Sequence, residues 1–186
     1  MKLLVFSDIH GSLPVAERIL ALTGKHDPAA VLILGDVLYH GPRNSQPDGY
    51  APGAVAKTLA PLAPSIIAIK GNCDSEVDAM VLPFPLAEPF SWLLQEAPGG
   101  PLRIFATHGH MFGPHNLPPL HKGDVLLYGH THVPKAEKNA GGVFICNPGS
   151  LSIPKEGHPP CYGLFEENVF TVFTDRDEAY LRLDCR

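Results

Sequence analysis

Short apolar runs recur along the chain, and each one ends in a turn built from glycine and polar residues. Residues 3–6 lead into Ser7-Asp8-Ile9-His10, 31–34 into Gly35-Asp36, and 66–69 into Lys70-Gly71-Asn72. In the second half, 103–106 lead into Thr107-His108-Gly109-His110, 125–128 into Gly129-His130-Thr131-His132, and 143–146 into Asn147-Pro148-Gly149-Ser150. Continuous apolar runs of this length, without polar alternation, read as strands buried on both faces.

Helical patterns fill the gaps between the first strands. Ser12 is placed to cap a helix that has Pro14 in its first turn, Val15, Ile19 and Leu22 on one face, and Gly24 as a stop. Residues 52–62 form a second candidate, and 74–81 a third, opened by Asp74-Ser75. Alternation of strand and helix indicates βαβ units. Beyond about residue 102 the strands follow one another without an obvious helix, and 169–173 and 180–183 read as closing antiparallel strands. The expected architecture is α/β (α+β): two sheets packed face to face with helices outside, in one domain over 1–186. The aromatic, Pro-rich run 83–92 is expected to pack under a sheet or to form a contact in a homo-oligomer.

Composition narrows the class. Hydrophobic residues make up 45% and charged residues 18% of 186 positions, an ordinary globular balance, while 18 Gly and 20 Pro predict long ordered loops. A net charge of −5 argues against a phosphate-tracking surface for nucleic acid. The apolar start is cut short by Asp8 and His10, unlike a signal peptide, and no stretch approaches the ~18 apolar residues of a membrane span. Cys73, Cys146, Cys161 and Cys185 show no C-x-x-C spacing, which fits a reducing cytoplasm. Ten histidines stand out in a chain otherwise poor in charge.

The histidines fall where ligands bind. Open α/β sheets hold ligands beyond the carboxyl ends of their strands. Asp8, His10, Asp36, Asn72, His108, His130 and His132 all follow strands at such ends. On extended backbone, residues two apart point to one side, so Asp8/His10 and His130/His132 are each expected to grip a common or adjacent ion. Seven donors exceed what one ion with open positions needs. Two ions sharing a carboxylate are more economical, and Asp36, alone on its turn, is the natural bridge. Such a pair acts by in-line attack of a bridging hydroxide on a phosphoryl group. Two divalent ions against two carboxylates leave a positive site that a hydroxide and a phosphodiester monoanion neutralise.

Asp8-Ile9-His10, Gly35-Asp36, Gly71-Asn72, Thr107-His108-Gly109-His110 and Gly129-His130-Thr131-His132, in this order, resemble the calcineurin-like metallophosphoesterases. The small size and the segments from Asp36 to Asn44, Gly71 to Asp74 and Asn147 to Ser150 resemble more narrowly the YfcE-type bacterial phosphodiesterases. The resemblance implies a four-layer αββα sandwich of two mixed sheets flanked by helices, with a dinuclear site at the strand ends. It assigns Asp8, His10, Asp36 and His132 to one ion, and Asp36, Asn72, His108 and His130 to the other, with Mn²⁺ as the metal. It implies a small phosphodiester as substrate and puts Asn72, Cys73 and His108 in the catalytic set. Cys73 departs from the superfamily, where many relatives carry a His that contacts phosphate and protonates the leaving oxygen. A thiol is a weak donor.

Further residues have bland alternatives. His110 either orients a ligand or touches substrate, His40 is a second candidate contact, and Arg43 either grips a phosphate oxygen or is an ordinary solvated Arg. The Asn147–Ser150 turn either reaches substrate or simply turns the chain. Substrate choice is expected in the loops 40–50 and 111–122. A metallo-β-lactamase motif needs Asp after its His pair, where Val133-Pro134 stands, and a zinc deaminase needs a P-C-x-x-C that Pro160-Cys161 does not complete. The rival from another class is a non-catalytic or weakly catalytic scaffold of this fold. Retention of all seven ligands favours the hydrolase.

Overall fold

A computed structural model describes residues 1–87, 89–96 and 100–186. Its first sheet contains β1 (Lys2–Phe6), β2 (Ala30–Ile33), β3 (Ile66–Ile69), the short β4 (Leu86–Ala87), and β10 (Cys161–Glu166), β11 (Val169–Thr174) and β12 (Ala179–Asp184), in the order β12-β11-β10-β1-β2-β3-β4. The second contains β5 (Phe90–Gln95), β6 (Leu102–Thr107), β7 (Val125–Leu127), β8 (Lys135–Lys138) and β9 (Phe144–Asn147), in the order β5-β6-β7-β9-β8. Each has a parallel centre, β1-β2-β3-β4 in one and β6-β7-β9 in the other, with antiparallel strands added outside.

The central strands are covered on both faces, as their unbroken apolar runs require. Leu4, Phe6, Val31 and Ile33 face the helices, whereas Leu3, Val5, Leu32 and Leu34 face the second sheet, where Ile104, Val125, Leu127 and Phe144 meet them. Helix α1 (Leu13–His26) buries Val15, Ala16, Ile19 and Leu22, and α2 (Pro52–Leu59) buries Val55, Ala56 and Leu59. Two boundaries differ from the expectation. Ser12 makes no side-chain cap; its hydroxyl donates to Asp48 O instead. Gly24 does not stop α1, which runs on to a left-handed Asp27 that closes the last turn. The second helix passes into a 3₁₀ segment over Ala60–Ser65, and α3 (Glu76–Val81) starts at Ser75 with a reciprocal capping box to Asp78.

The two-sheet sandwich is as expected, with its helices on the first sheet. Over the outer face of the second, no helix follows among the described residues. Phe112 and Leu120 of the 108–124 segment pack there on Phe105, Leu126 and Tyr128. The 83–92 run divides: Phe84 is buried in the helix-side core, while Phe90 and Trp92 stand on the edge strand β5 against Phe105. Glu88 within it lies outside the described residues. Strands β4, β5, β8 and β10 are additions to the sequence-based expectation. Among the described residues, no helix is long and apolar enough to cross a membrane.

Candidate metal centre

Because the central strands are parallel, their carboxyl ends and the turns after them gather on one rim. Backbone bonds lock these turns together: Asp8 N–H donates to Gly35 O, His10 N–H to Asp36 O, and Gly129 N–H to His108 O (3.0, 2.9 and 2.8 Å). Five of the seven candidate ligands, Asp8, His10, Asp36, His130 and His132, have φ between 52° and 64°. This corrects the expectation of extended backbone for the Asp8/His10 and His130/His132 pairs. The chain has to leave the sheet at once, and left-handed residues do that, at a cost of about 1 kcal/mol or more each. Close approach also explains two glycines. A Cβ on Gly71 would lie 2.1 Å from Asp36 Oδ1, and one on Gly129 1.8 Å from Ser7 Oγ.

Within the rim the side chains form overlapping groups: Asp8, His10 and His132; Asp8, Asp36 and His108; and His10, Asp36 and Cys73. Three imidazoles are oriented in the same way. The Nδ1 atoms of His10, His108 and His132 donate to Tyr39 O, Leu34 O and Ile153 O at 2.7, 2.6 and 2.5 Å. A ring nitrogen against a carbonyl carries the proton, so each Nε2 of a neutral ring is a lone pair. Those lone pairs converge. His10 Nε2 lies 3.3 Å from His132 Nε2, which lies 3.3 Å from Asp8 Oδ1, and His108 Nε2 lies 3.4 Å from Asp36 Oδ2 and 3.0 Å from Asn72 Oδ1.

The carboxylates complete the pattern. Asp8 Oδ2 accepts from Ser7 Oγ and His130 N–H, while Oδ1, fully buried, has no hydrogen-bond partner. Asp36 Oδ1 accepts from Cys73 N–H, and its Oδ2 lies between His10 and His108 (3.8 and 3.4 Å). Acceptors facing acceptors in a buried site require a cation. The donors, carboxylate, amide oxygen and imidazole, suit a divalent ion of borderline hardness. His130 stands apart from the three groups: its ring lines the cavity over the rim, 5.1 Å from that of His108.

Without a metal, protons take the cation's place. Burial would lower the His108 pKa, but Asp36 and the Asp8 charge outweigh it and raise it to about 9. His10 is raised in the same way by Asp8 and Tyr39 O against its burial. Asp8, despite burial, is held well below the usual carboxylate range by His10 and His132. His130 is lowered, by burial and then by the His108 charge. Burial and the Asp36 charge push the Cys73 thiol up to about 12, so it stays protonated and is a poorer acid than a free cysteine.

A cavity of about 840 Å³ opens over the rim, with Asp36, Asn72, Cys73, His130 and His132 in its floor and Arg43 and Lys155 among its walls. Of the expected substrate contacts, only Arg43 lines it. The His40 ring is wedged edge-on between Tyr39 and Tyr50, and His110 packs beside His108 and His130. The 111–122 loop does not line it; its Phe112 and Leu120 pack on the second sheet. The Asn147–Ser150 turn is a buried brace. Asn147 Nδ2 donates to Gly129 O, and Ser150 Oγ donates to Asp8 O while accepting from Ser152 and Ile153 N–H. With these atoms occupied and buried, the turn braces the backbone at Asp8 and Gly129.

Two residues escaped the sequence reading. Asp74, expected only to open a helix, accepts from the backbone N–H groups of Asp36, Val37 and Gly71 (2.8, 2.8 and 2.7 Å) and ties two ligand-bearing turns together. Its signal was its place in Gly71-Asn72-Cys73-Asp74. Lys155 reaches the cavity from a segment without a motif.

The sequence profile of the Calcineurin-like phosphoesterase superfamily domain matches residues 1–168, and the chain belongs to that family of phosphoesterases. Among individual relatives, it is 51% identical over 181 residues to Phosphodiesterase YfcE of Escherichia coli (strain K12), covering 97% of this chain and 96% of that protein. A solved structure of the E. coli phosphoesterase Yfce superposes with a TM-score of 0.95 at 48% identity, covering all of both chains. Vps29 of Chaetomium thermophilum, at 17% identity and a TM-score of 0.60 over 99% and 98% of the chains, shares the fold alone.

Proposed function

We propose that this chain, acting as one domain over residues 1–186, is a two-metal phosphodiesterase of the cytoplasm that uses Mn²⁺ and hydrolyses small phosphodiesters. The observation that carries the reading is the set of three Nδ1-anchored histidines whose Nε2 atoms converge on the open oxygens of Asp8 and Asp36. Asp8, His10, Asp36 and His132 would hold one ion, and Asp36, Asn72, His108 and His130 the other. When bound, two such ions supply an acidified water as nucleophile and Lewis-acid stabilisation of the phosphoryl oxygens. The protein does the rest. Asp8 and Asp36 supply the negative charge that fixes the ions, the backbone carbonyls fix the imidazole tautomers, and Arg43 and Lys155 draw a phosphate anion into the cavity. The Cys73 thiol faces the same cavity as a weak proton donor. The name of the E. coli relative supports the diester, and four unpaired thiols favour a reducing compartment. Retention of the whole ligand set favours catalysis over a scaffold role.

The test is metal analysis followed by hydrolysis of an activated phosphodiester and the matching monoester with added Mn²⁺, repeated on Asp36→Asn. Diester turnover is expected to exceed monoester turnover, and Asp36→Asn to lose about a hundredfold or more, beyond what residues supporting a ligand usually cost. Equal rates in variant and parent would remove the catalytic claim.

A further inference from the structure

Beside the metal-rim cavity lies a second, smaller one of about 260 Å³, and the two share Tyr39, Cys73 and Ser75. They differ in chemistry. Arg43 and Lys155 belong to the larger cavity, and among the described residues no basic side chain lines the smaller one. Its walls are Leu38, Tyr39, Tyr50, Pro52 and Val77, with Ser75 and Asp78 as its polar members. Those two are engaged with each other in the capping box at the start of α3. The smaller cavity is therefore unsuited to a phosphate, yet it adjoins the cavity over the rim along Tyr39, Cys73 and Ser75.

We infer that this cavity is a subsite for a planar aromatic ring carried on one ester oxygen of the substrate; the inference rests on the phosphodiesterase reading and specifies its substrate class. Volume and walls both point to a ring. At about 260 Å³ the space lies just under the roughly 300 to 1,000 Å³ of pockets that hold whole drug-sized ligands. Two tyrosines wall it, and aromatic pairs gain from offset or edge-to-face contact beyond area burial. They are held in place. The His40 ring stands edge-on between them, at 4.9 Å from Tyr39 and 5.1 Å from Tyr50, and Tyr39 is tied through its carbonyl to His10. Tyr39 is nonetheless 40% exposed and Val77 66% exposed, so apolar surface remains for a ligand to cover. In this inference the His40 ring, expected from the sequence as a substrate contact, positions the subsite walls.

The subsite is tested with phosphonates, whose shared head group removes leaving-group reactivity from the comparison. Inhibition of Mn²⁺-dependent hydrolysis of bis(4-nitrophenyl) phosphate by methyl-, cyclohexyl- and phenylphosphonate is measured on the parent protein, Val77→Asp and Tyr39→Ala. Phenylphosphonate is expected to bind on the order of tenfold tighter than methylphosphonate, the step one apolar group makes in a pocket, and tighter than cyclohexylphosphonate. Val77 is exposed, so Val77→Asp keeps the fold, checked by circular dichroism, and both variants should bring the phenyl-to-methyl ratio near unity. Equal constants for phenyl and methyl, or a preference that survives both variants, would overturn the subsite while hydrolysis stands. Cyclohexyl binding as tight as phenyl would overturn its aromatic character. Absence of both hydrolysis and phosphonate binding in the Mn²⁺-loaded protein would overturn the phosphodiesterase reading itself.

Discussion

Asp74 holds the rim together through backbone N–H groups of two of its turns, and Asp74→Asn isolates that role. In the parent, Asp74 Oδ2 accepts from Asp36 N–H and Gly71 N–H, and Oδ1 from Val37 N–H. An asparagine keeps one oxygen, which can serve the first two donors, but its amide NH₂ then meets the Val37 N–H, donor against donor. A hydrogen bond to a charged group contributes about 1.5–3 kcal/mol, and a buried donor left unpaired costs about 1–3 kcal/mol. One effect runs the other way. Burial and the Asp36 charge raise the Asp74 pKa against the three N–H donors, so losing the charge partly offsets the loss. The net destabilisation is expected in the lower part of the range, about 1–3 kcal/mol, in metal-free protein. With an m-value of about 2 kcal/mol/M, urea denaturation followed by circular dichroism should show a midpoint lower by about 1 M. Asp36 and the Gly71-Asn72 turn would loosen together, so Mn²⁺ affinity by calorimetry should fall about 10- to 100-fold, as for other groups that support a ligand. Ser75→Ala is the control: loss of the α3 cap costs about 1 kcal/mol and should leave Mn²⁺ affinity alone. Parental stability within about 0.5 kcal/mol together with parental Mn²⁺ affinity in Asp74→Asn would refute the brace.

Metal binding should release protons. His108, with a pKa of about 9 in the metal-free site, carries a proton at neutral pH that a metal displaces, and His10 is raised in the same direction. Mn²⁺ affinity is therefore expected to rise between pH 6 and 9, with calorimetric heats that change with the buffer's ionisation enthalpy; a pH-independent affinity would contradict it. The metal-free protein should respond in the opposite sense. The stability that a raised histidine contributes is complete below its unfolded pKa of about 6.5 and is lost as pH rises through about 9, which urea midpoints at pH 6 and pH 9.5 would read. Cys73→His places a better proton donor at the cavity floor, so turnover on diesters with poor leaving groups should rise; unchanged or lower turnover with intact metal content would count against a role for this position in protonating the leaving group.

The ligand positions were legible because two local signals coincide. A strand buried on both faces is an unbroken apolar run, and the residue that ends it must turn without a partner strand. That places Asp8, His10, Asp36, Asn72, His108, His130 and His132 at one rim. Strands β4, β5, β8 and β10 were less legible because their sequences owe more to pairing. Cys161–Glu166 is a strand because β1 and β11 flank it, and Lys135–Lys138 because β9 lies beside it. The long turns were no more legible. Nothing local in Asn147–Ser150 says that its polar atoms are used up inside the protein, and nothing in 111–122 says that it covers a sheet.

What the sequence determined by itself was the kind of chemistry: carboxylates, imidazoles and an amide at successive strand ends, in a family order. The tertiary structure decided how they are used. Which imidazole nitrogen is a lone pair depends on the carbonyls of Tyr39, Leu34 and Ile153, which lie 29, 74 and 21 residues from their histidines. Whether an arginine, a lysine or a tyrosine reaches the substrate depends on which loops meet over the rim. Covalent neighbours fix the donor types, but orientation and access are long-range quantities, set only when the two sheets close on each other.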